Sequence, residues 1–372
     1  MNKKAIISGS FDPITFGHLD IIHRASALFD VLYIAIGTNI EKKPLIGIDE
    51  RVNHIVKCTR NLTNVVVVAF DGLLAEFAFK HNIGYIVRGV RNVNDFQYEE
   101  TLHSVNKDLK KLETVLLFTD SNIRHVSSSM VKSVIKEYGD VSPYVSLIVK
   151  ESLERKIWGK TIFCIVGISG TGKSFVSKRI ASLYDNVECI DLDKIAHQIY
   201  DSNEPYAIAL KESMGMYFGQ SIYNEDGTIN RRMVGAIVFN DPQALQLLNS
   251  LFHTPIRHLV YESIRKSVAK YIIFEGAVIP ENGYLPLFNN NVILLHCDKN
   301  ESSKRIQDRD GISEEYALSR NNAQLSTLHK KQIIENSIHI HSYGNLLELD
   351  TTHGFSDESI KEIFEKIKKI DL

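Results

Sequence analysis

The sequence lacks the features that mark disulfide frameworks, metal fingers and membrane spans. It has four cysteines in 372 residues, and none of them forms a Cys-x-x-Cys pair. No stretch approaches the ~18 consecutive apolar residues that a membrane helix needs. Cys164, Cys189 and Cys297 lie in or beside apolar runs, so we expect buried, reduced thiols.

An excess of charge of one sign is also missing. There are 43 Lys and Arg residues against 45 Asp and Glu residues, which gives a formal net charge of -2. This balance predicts no nucleic-acid partner and no membrane partner. The apolar run after Met1 is too short for the core of a signal peptide, so we expect a cytoplasmic protein.

What is present is a regular alternation of short apolar runs with amphipathic helical patterns. Such alternation predicts βαβ units, parallel sheets and ligand sites at the carboxyl ends of the strands. It restarts after a helical tail over residues 142–156, so we expect two α/β domains, residues 1–157 and residues 158–372. The predicted strands are 5–7, 31–36, 65–70, 85–87 and 114–118, then 161–166, 187–190, 271–274 and 292–296.

Each half carries a glycine-containing motif between its first strand and the next helix. In residues 9–18 (Gly-Ser-Phe-Asp-Pro-Ile-Thr-Phe-Gly-His), Gly9 permits close approach of a phosphate, and Gly17-His18 begins a helix whose amides favour anions. A tight turn with an incidental histidine is the alternative for the Gly-His pair alone. Residues 167–174 match Gly-x-x-x-x-Gly-Lys-Ser and predict a P-loop for ATP.

The P-loop match assigns roles to its residues. Backbone amides would wrap the β-phosphate, Lys173 would bridge the β- and γ-phosphates, and Ser174 would ligate Mg²⁺. ATP and Mg²⁺ are therefore the expected co-substrate and cofactor. The predicted nucleotide-binding residues of this motif are Gly170, Thr171, Gly172, Lys173 and Ser174.

The first half resembles bacterial phosphopantetheine adenylyltransferase, of the nucleotidyltransferase superfamily. Besides residues 9–18, the strings 42–44 (Lys-Lys-Pro), 88–91 (Arg-Gly-Val-Arg), 95–99 (Asp-Phe-Gln-Tyr-Glu) and 126–129 (Val-Ser-Ser-Ser) occur in the family's order. The resemblance implies a doubly wound, Rossmann-like domain that transfers AMP from ATP to 4′-phosphopantetheine, giving dephospho-CoA and pyrophosphate. Because the acceptor phosphate is already anionic, this reaction needs positioning and charge neutralisation.

The same resemblance implies roles for the matching residues. His18 and Ser10 would contact the α-phosphate, and Arg91 would stabilise the pyrophosphate. Lys42 would hold the acceptor phosphate with help from Arg88. The other expected contacts are Gly17, Glu99, Ser127, Ser128 and Ser129 for ATP, and Leu73 and Leu74 for the pantetheine arm. Two alternatives stay open: Lys42 as a solvated loop charge, and the serine triplet as a helix N-cap.

The second half resembles dephospho-CoA kinase, a P-loop kinase. The matching strings are residues 190–196, 226–232, 248–253, 304–305, 309–310 and 323–324. The resemblance implies transfer of the γ-phosphoryl group of ATP to the 3′-hydroxyl of dephospho-CoA, with Asp193 as general base. Arg305 and Arg309 would clamp the phosphoryl group, and His253 would lie on the substrate side. The alternatives are Asp193 as a helix N-cap and the arginines as a solvated salt-bridge face.

This second half departs from its family at several positions. His197 stands where an arginine is usual, residues 274–281 lack a Pro-Leu-Leu run, and residues 337–344 replace an Asp-Asn-Asn-Gly string. A degenerate, non-catalytic ATP-binding module is therefore the alternative to an active kinase. His339 and His341 would share one face of a strand, which suggests a metal site, but neither cysteine nor a clear carboxylate partner supports it.

Together, the two resemblances predict a bifunctional enzyme for the last two steps of coenzyme A synthesis. The expected ligands are ATP, 4′-phosphopantetheine and dephospho-CoA. A different interpretation lets the first domain act on another phosphorylated or alcohol substrate, because one fold serves many substrates. Single-domain relatives of the first half form hexamers, so a homo-oligomer is compatible with the sequence.

Overall fold

The computed structural model describes residues 3–37, 43–110, 112–238, 241–322 and 324–370. Their contacts form two compact units, Met1–Trp158 and Gly159–Leu372. Each unit contains a five-stranded sheet. Within the described ranges, no helix is both long enough and apolar enough to cross a membrane.

The first unit is a doubly wound parallel sheet with strand order β3-β2-β1-β4-β5. The order reverses between β1 and β4, and the carboxyl ends of such strands form the crevice where this fold binds ligands. Ile6 and Ile86 are fully buried in its core. The strands are β1 (Lys4–Gly9), β2 (Val31–Gly37), β3 (Val65–Phe70), β4 (Tyr85–Val90) and β5 (Glu113–Phe118); the helices are α1 (Phe16–Ser26), α2 (Ile48–Cys58), α3 (Leu74–Lys80), α4 (Val93–Lys110), α5 (Ser128–Lys136) and α6 (Leu147–Leu153).

The second unit is also a parallel sheet, with strand order β10-β9-β6-β8-β7. Phe163, Ile273 and Phe364 belong to its core. The strands are β6 (Thr161–Val166), β7 (Val187–Asp191), β8 (Tyr271–Gly276), β9 (Asn291–His296) and β10 (Asn345–Asp350). The helices are α7 (Lys173–Leu183), α8 (Leu192–Asp201), α9 (Pro205–Phe218), α10 (Arg231–Val238), α11 (Pro242–Lys266), α12 (Lys299–Asp310), α13 (Glu314–Asn322), α14 (Thr327–His341) and α15 (Asp357–Ile370).

The predicted α/β fold class is confirmed in both units, with one local error. His339 and His341 lie at the end of helix α14, so the strand interpretation of this segment is wrong. Two residues apart on a helix, their side chains diverge by about 200° and do not share a face. The last strand, β10, follows this helix and was not predicted.

The thiols differ in their burial. Cys164, in the central strand β6, is buried, as expected. Cys189 and Cys297 remain partly exposed because they lie near the carboxyl ends of strands. All four cysteines are free.

Candidate active sites

A cavity of about 340 Å³ lies at the carboxyl ends of β1 and β4. It brings together nearly all the predicted residues of the first site: Ser10, Gly17, His18, Arg88, Arg91, Glu99, Ser127, Ser128 and Ser129. Leu73 and Leu74 do not line this cavity; Leu73 is 59% exposed and precedes helix α3. Lys42 lies outside the described residues.

His18 is held in one tautomer at the start of helix α1. The backbone N–H of Thr15 donates to His18 Nδ1 over 3.1 Å, and Thr15 Oγ1 lies 3.0 Å from the same nitrogen. Burial, together with the charge of Arg91, lowers the pKa of His18 to about 4. The ring is therefore neutral at physiological pH, and its proton lies on Nε2 because Nδ1 accepts. Nε2 can donate a hydrogen bond to a phosphate oxygen.

The two arginines of this cavity each have a carboxylate partner. Arg88 Nε lies 3.2 Å from Glu99 Oε2, and Arg88 Nη1 donates to the Ser8 carbonyl over 2.9 Å. Arg91 Nε lies 3.1 Å from Asp95 Oδ2. Burial raises the pKa of Glu99, and Arg88 opposes that rise. Phosphate groups that bind here must compete with these carboxylates for the guanidinium groups.

The serine triplet opens helix α5 at the edge of the same cavity. Ser127 Oγ accepts the backbone N–H of Met130 over 3.2 Å, so its interpretation as an N-cap is confirmed. Ser128 Oγ donates to the Pro13 carbonyl over 2.7 Å. The helix terminus contributes amides and a dipole that favour anions, so capping and phosphate binding are compatible.

Two residues that the sequence analysis missed hold the first motif in place. The Asp12 carboxylate accepts hydrogen bonds from the backbone N–H groups of Leu45 and Ile46 over 3.0 Å and 2.9 Å. Lys132 Nζ donates to Asp12 Oδ2 over 3.2 Å. The buried Arg51 donates from Nη1 to the Ser10 carbonyl over 2.6 Å. A charged residue inside the apolar string 11–14 was the available signal for Asp12.

A second cavity, of about 370 Å³, lies at the carboxyl ends of β6, β7 and β8. The P-loop crosses it with Gly170 at φ 80° and Gly172 at φ 85°, which are left-handed conformations that favour glycine. The predicted residues that line it are Gly170, Gly172, Lys173, Ser174, Asp193, Arg305 and Arg309. The side chain of Thr171 is buried instead, and its hydroxyl donates to the Ile168 carbonyl over 2.9 Å, so it shapes the loop.

Lys173 begins helix α7 and folds over its own loop. Its Nζ donates to the carbonyl oxygens of Gly167 and Ile168 over 2.9 Å and 3.1 Å. Burial lowers the pKa of Lys173 to about 8; Lys330 and Arg309 lower it further, and Asp193 and Glu275 oppose them. The ammonium group is therefore charged below pH 8 and becomes neutral above it.

Asp193 lies in the first turn of helix α8 and faces this cavity. The N-cap of the helix is Asp191, which accepts the backbone N–H groups of Asp193 and Lys194 over 3.0 Å and 3.2 Å. The N-cap interpretation of Asp193 is therefore wrong. Burial raises the pKa of Asp193, and the charge of Lys173 opposes that rise. A carboxylate in this position is suited to accept a proton.

Helix α12 supplies the two arginines, and both carry protein contacts. Arg305 donates from Nη2 to the Thr351 carbonyl over 2.7 Å and from Nε to Glu301 over 2.9 Å. Arg309 donates from Nε to Asp310 over 2.7 Å. Arg305 is therefore the more firmly oriented of the two.

His253 does not line the second cavity. Its Nε2 lies 3.2 Å from the Asn282 carbonyl oxygen, and its ring packs against Tyr284 with centroids 4.9 Å apart. These contacts give His253 a local structural role on helix α11. The prediction that it contacts substrate has no support from the geometry of the cavity.

Glu275 and Gln324 were not predicted as site residues, yet both line the second cavity. Glu275, near the end of β8, accepts the hydroxyl of Ser177 over 3.0 Å. Gln324 makes two hydrogen bonds with Ser169. Its Oε1 accepts the Ser169 backbone N–H over 2.9 Å, and its Nε2 donates to the Ser169 hydroxyl over 2.9 Å. An acidic residue that ends a buried apolar strand was the signal for Glu275.

The oxygen donors around the P-loop fit a magnesium ion. Ser174 presents its hydroxyl at the first turn of α7, and the carboxylates of Asp191 and Glu275 line the same cavity. Hydroxyl and carboxylate oxygens are the hard ligands that Mg²⁺ prefers, usually alongside water and substrate phosphates.

Two family models match separate parts of the chain. Residues 161–342 match the model described as dephospho-CoA kinase, and residues 6–134 match the model described as cytidylyltransferase-like. Every residue that lines the second cavity lies within 161–342, and every residue that lines the first lies within 6–134. Thr351, which orients Arg305, lies outside both segments.

Solved structures are similar to this chain at low identity. The Thermus thermophilus protein TT1252 is 23% identical to this chain, with a TM-score of 0.44. The match covers 56% of this chain and 97% of TT1252. The Plasmodium falciparum nicotinic acid mononucleotide adenylyltransferase complexed with NaAD is 18% identical, with a TM-score of 0.30. The match covers 39% of this chain and 91% of that protein. A NadR protein in complex with NR is 10% identical, with a TM-score of 0.35. The match covers 93% of this chain and 89% of the NadR protein. These TM-scores are too low to bear on the substrates of this chain.

Proposed function

We propose that this chain, a transferase of coenzyme A biosynthesis that joins a cytidylyltransferase-like domain to a dephospho-CoA kinase domain, performs two consecutive reactions on one metabolite. The first would be AMP transfer from ATP to 4′-phosphopantetheine, and the second would be phosphorylation of the dephospho-CoA formed. The observation that carries the proposal is the pair of separate phosphate cavities, each lined by the residues of one motif.

In the first reaction, an oxygen of the acceptor phosphate would attack the α-phosphorus of ATP, and pyrophosphate would leave as that P–O bond breaks. His18 Nε2–H and the Ser10 hydroxyl are placed to donate to the α-phosphate oxygens as negative charge grows there. Arg91 would turn from Asp95 toward the leaving pyrophosphate, and Arg88 toward the acceptor phosphate. The Arg91 exchange would favour the transition state, because negative charge moves from the attacking acceptor phosphate onto the leaving pyrophosphate. Arg88 would hold the acceptor phosphate in position for attack.

In the second reaction, the 3′-hydroxyl of dephospho-CoA would attack the γ-phosphorus of a second ATP, and ADP would leave. Asp193 would take the proton of the hydroxyl, since its carboxylate faces the cavity and does not cap the helix. Lys173 and Arg305 would neutralise the charge on the transferring group. Ser174 would hold Mg²⁺, whose charge offsets that of the β- and γ-phosphates.

The test is mass spectrometry of products after the purified chain is incubated with ATP, Mg²⁺ and 4′-phosphopantetheine. We expect dephospho-CoA first and coenzyme A later. Lys173→Ala should stop the sequence at dephospho-CoA, whereas Lys178→Ala, an exposed lysine on the same helix, should not. Absence of both dephospho-CoA and coenzyme A in the wild-type reaction would overturn the first assignment.

A second candidate function follows from the substrate side of the kinase domain. His253 does not line the cavity, and His197 stands at a position where an arginine is usual. An active adenylyltransferase with a non-catalytic ATP-binding module would account for both. We prefer the kinase because Lys173, Asp193 and Arg305 line one cavity; accumulation of dephospho-CoA without coenzyme A would favour the module instead.

A further inference from the structure

Lys330 is a buried cation that the proposed mechanism does not use. It lies on helix α14 and has 0% of its surface exposed. Its Nζ donates to the Ala277 carbonyl over 2.6 Å and forms an ion pair with Glu281. Because removing an ammonium group from water costs free energy that one ion pair rarely repays, such a group calls for a role beyond packing.

We infer that Lys330 is a positioning residue of the phosphoryl-transfer site, which fixes the Gly276–Ala277 wall of the cavity and, through it, the first turn of helix α8. The inference rests on the proposed kinase function and adds a residue to it that does not touch the reacting atoms.

The turn that follows β8 connects Lys330 to the cavity. Gly276 and Ala277 line the cavity, and the carbonyl of Ala277 is the acceptor that Lys330 holds. A side-chain carbon at Gly276 would lie 3.0 Å from Ile279 Cγ1 and 3.5 Å from Leu192 Cβ. Gly276 leaves room beside Leu192 because it has no side chain, and helix α8, whose first turn holds Leu192 and Asp193, packs against β8. A shift of the Ala277 carbonyl would displace Asp193 through this contact.

The charge of Lys330 also reaches the functional side chains. Burial is the main cause of the altered pKa values of Lys173 and Asp193, and Lys330 lowers both. The other charged groups that act on Asp193 are Lys173, Asp191 and His197; those that act on Lys173 are Asp193, Glu275 and Arg309.

Within the described part of the chain, only one carboxylate oxygen of Glu281 has a hydrogen-bond partner. Its Oε1 is the partner of Lys330, whereas its Oε2 is buried without a hydrogen-bond partner among the residues that the structure describes. Removing Lys330 alone would leave a carboxylate unpaired in this position, which is strongly destabilising. A useful variant must therefore remove both charges.

The first measurement compares kinase kinetics of Lys330→Met/Glu281→Gln with those of Lys331→Met. Lys331 is the next residue on α14, and its ion pair with Glu348 is partly exposed, so it is the matched control. For the double variant we expect kcat of the kinase reaction to fall about 10²-fold with KM for ATP unchanged, as displacement of a reacting group predicts. Because Lys330 lies in the second unit, the unchanged KM for ATP, and not adenylyl transfer by the first unit, reports that the substituted unit is folded.

The second measurement is amide hydrogen exchange, which does not depend on catalysis. The double variant should exchange faster than wild type at residues 276–279 and 192–193, and Lys331→Met should match wild type. If the wild-type chain phosphorylates nothing, the proposed function fails, and exchange alone decides whether Lys330 fixes this wall. In an active kinase, unchanged kcat or unchanged exchange in the double variant overturns the inference.

Discussion

At the scale of single residues, His18 is a group whose protonation is set by its surroundings. Its pKa of about 4 means that it stays neutral across the physiological range and acts as a hydrogen-bond donor, not as a cation. The sequence placed this histidine at a helix start correctly. It did not give the Thr15 contact that selects the tautomer, because that depends on side-chain geometry.

His18→Ala should lower kcat of adenylyl transfer by about 10²- to 10³-fold, because one donor to the growing negative charge is lost. Kinase activity should be unchanged, and so should both activities in His23→Ala, an exposed histidine on the same helix. Pyrophosphate release measured between about pH 5 and 8 should show no limb that titrates with His18. A limb near the ordinary histidine pKa that disappears in His18→Ala would contradict the neutral donor.

Unlike His18, Lys173 should make its reaction, the kinase step, depend on pH above neutrality. Burial lowers its pKa to about 8, so the chain loses this positive charge as the pH rises through 8. The value of kcat/KM for ATP in the kinase reaction reports the free enzyme and should therefore fall above pH 8. Lys173→Arg should be slower but should lack this limb, since a guanidinium group stays charged. The same limb in Lys173→Arg would assign it to another group.

At the scale of elements, buried strands could be predicted closely and cavity-lining strand ends could not. The bounds of β6 agree with its apolar run, because strands buried in a parallel sheet are nearly continuous in apolar residues. The bounds of the edge strand β3 agree as well, since its residues are apolar although none is fully buried. Strand β4 runs on through Arg88 to Val90, and β8 through Glu275 to Gly276. The polar residues of the sites extend these strands, so a hydrophobic pattern ends them too early.

Helix α14 shows how an alternating pattern misleads. Residues 338–341 (Ile-His-Ile-His) alternate like a half-buried strand, yet they complete a helix that Ser326 caps. The helix ends where Ser342 adopts φ 55° and Gly344 adopts φ 134°. A side-chain carbon at Gly344 would lie 2.3 Å from Asn290 Cβ, a long-range contact that no local pattern reveals.

The P-loop allows a matched pair of glycine substitutions. Gly170 and Gly227 both have φ 80°, but an added side-chain carbon would lie 2.3 Å from the Ser302 carbonyl oxygen at Gly170 and would meet nothing within 4 Å at Gly227. Both alanine variants should lose about 1–2 kcal/mol for the left-handed backbone. Only Gly170→Ala should lose further stability and kinase activity. Thermal unfolding and kinase rates measure this, and equal effects at both positions would contradict the role of the clash.

At the scale of the whole molecule, each cavity is built within one unit. The first is lined by residues 7–129 and the second by residues 169–324. The strand alternation predicted two such sheets. Pairings between distant residues, such as Arg88 with Glu99 or Lys330 with Ala277, could not be read from a pattern of neighbours.

Because the cavities draw on separate residues, two singly inactivated chains should complement each other. A mixture of His18→Ala and Lys173→Ala chains should form coenzyme A from 4′-phosphopantetheine and ATP, since one chain releases dephospho-CoA that the other phosphorylates. Product analysis of the mixture and of each variant alone measures this. A mixture that stops at dephospho-CoA, although His18→Ala alone phosphorylates added dephospho-CoA, would contradict release of the intermediate.

Glu99 and Asp95 also affect which anions the first cavity admits. A sulfate or free phosphate ion would have to displace a carboxylate from Arg88 or Arg91 to gain a single arginine. A ligand with several phosphate groups contacts both arginines and the helix terminus at Gly17 together. The contacts of one such molecule therefore replace both the Arg88–Glu99 and the Arg91–Asp95 ion pairs. Occupancy should therefore depend steeply on the number of phosphate groups, which protects the cavity from the abundant small anions of a cell.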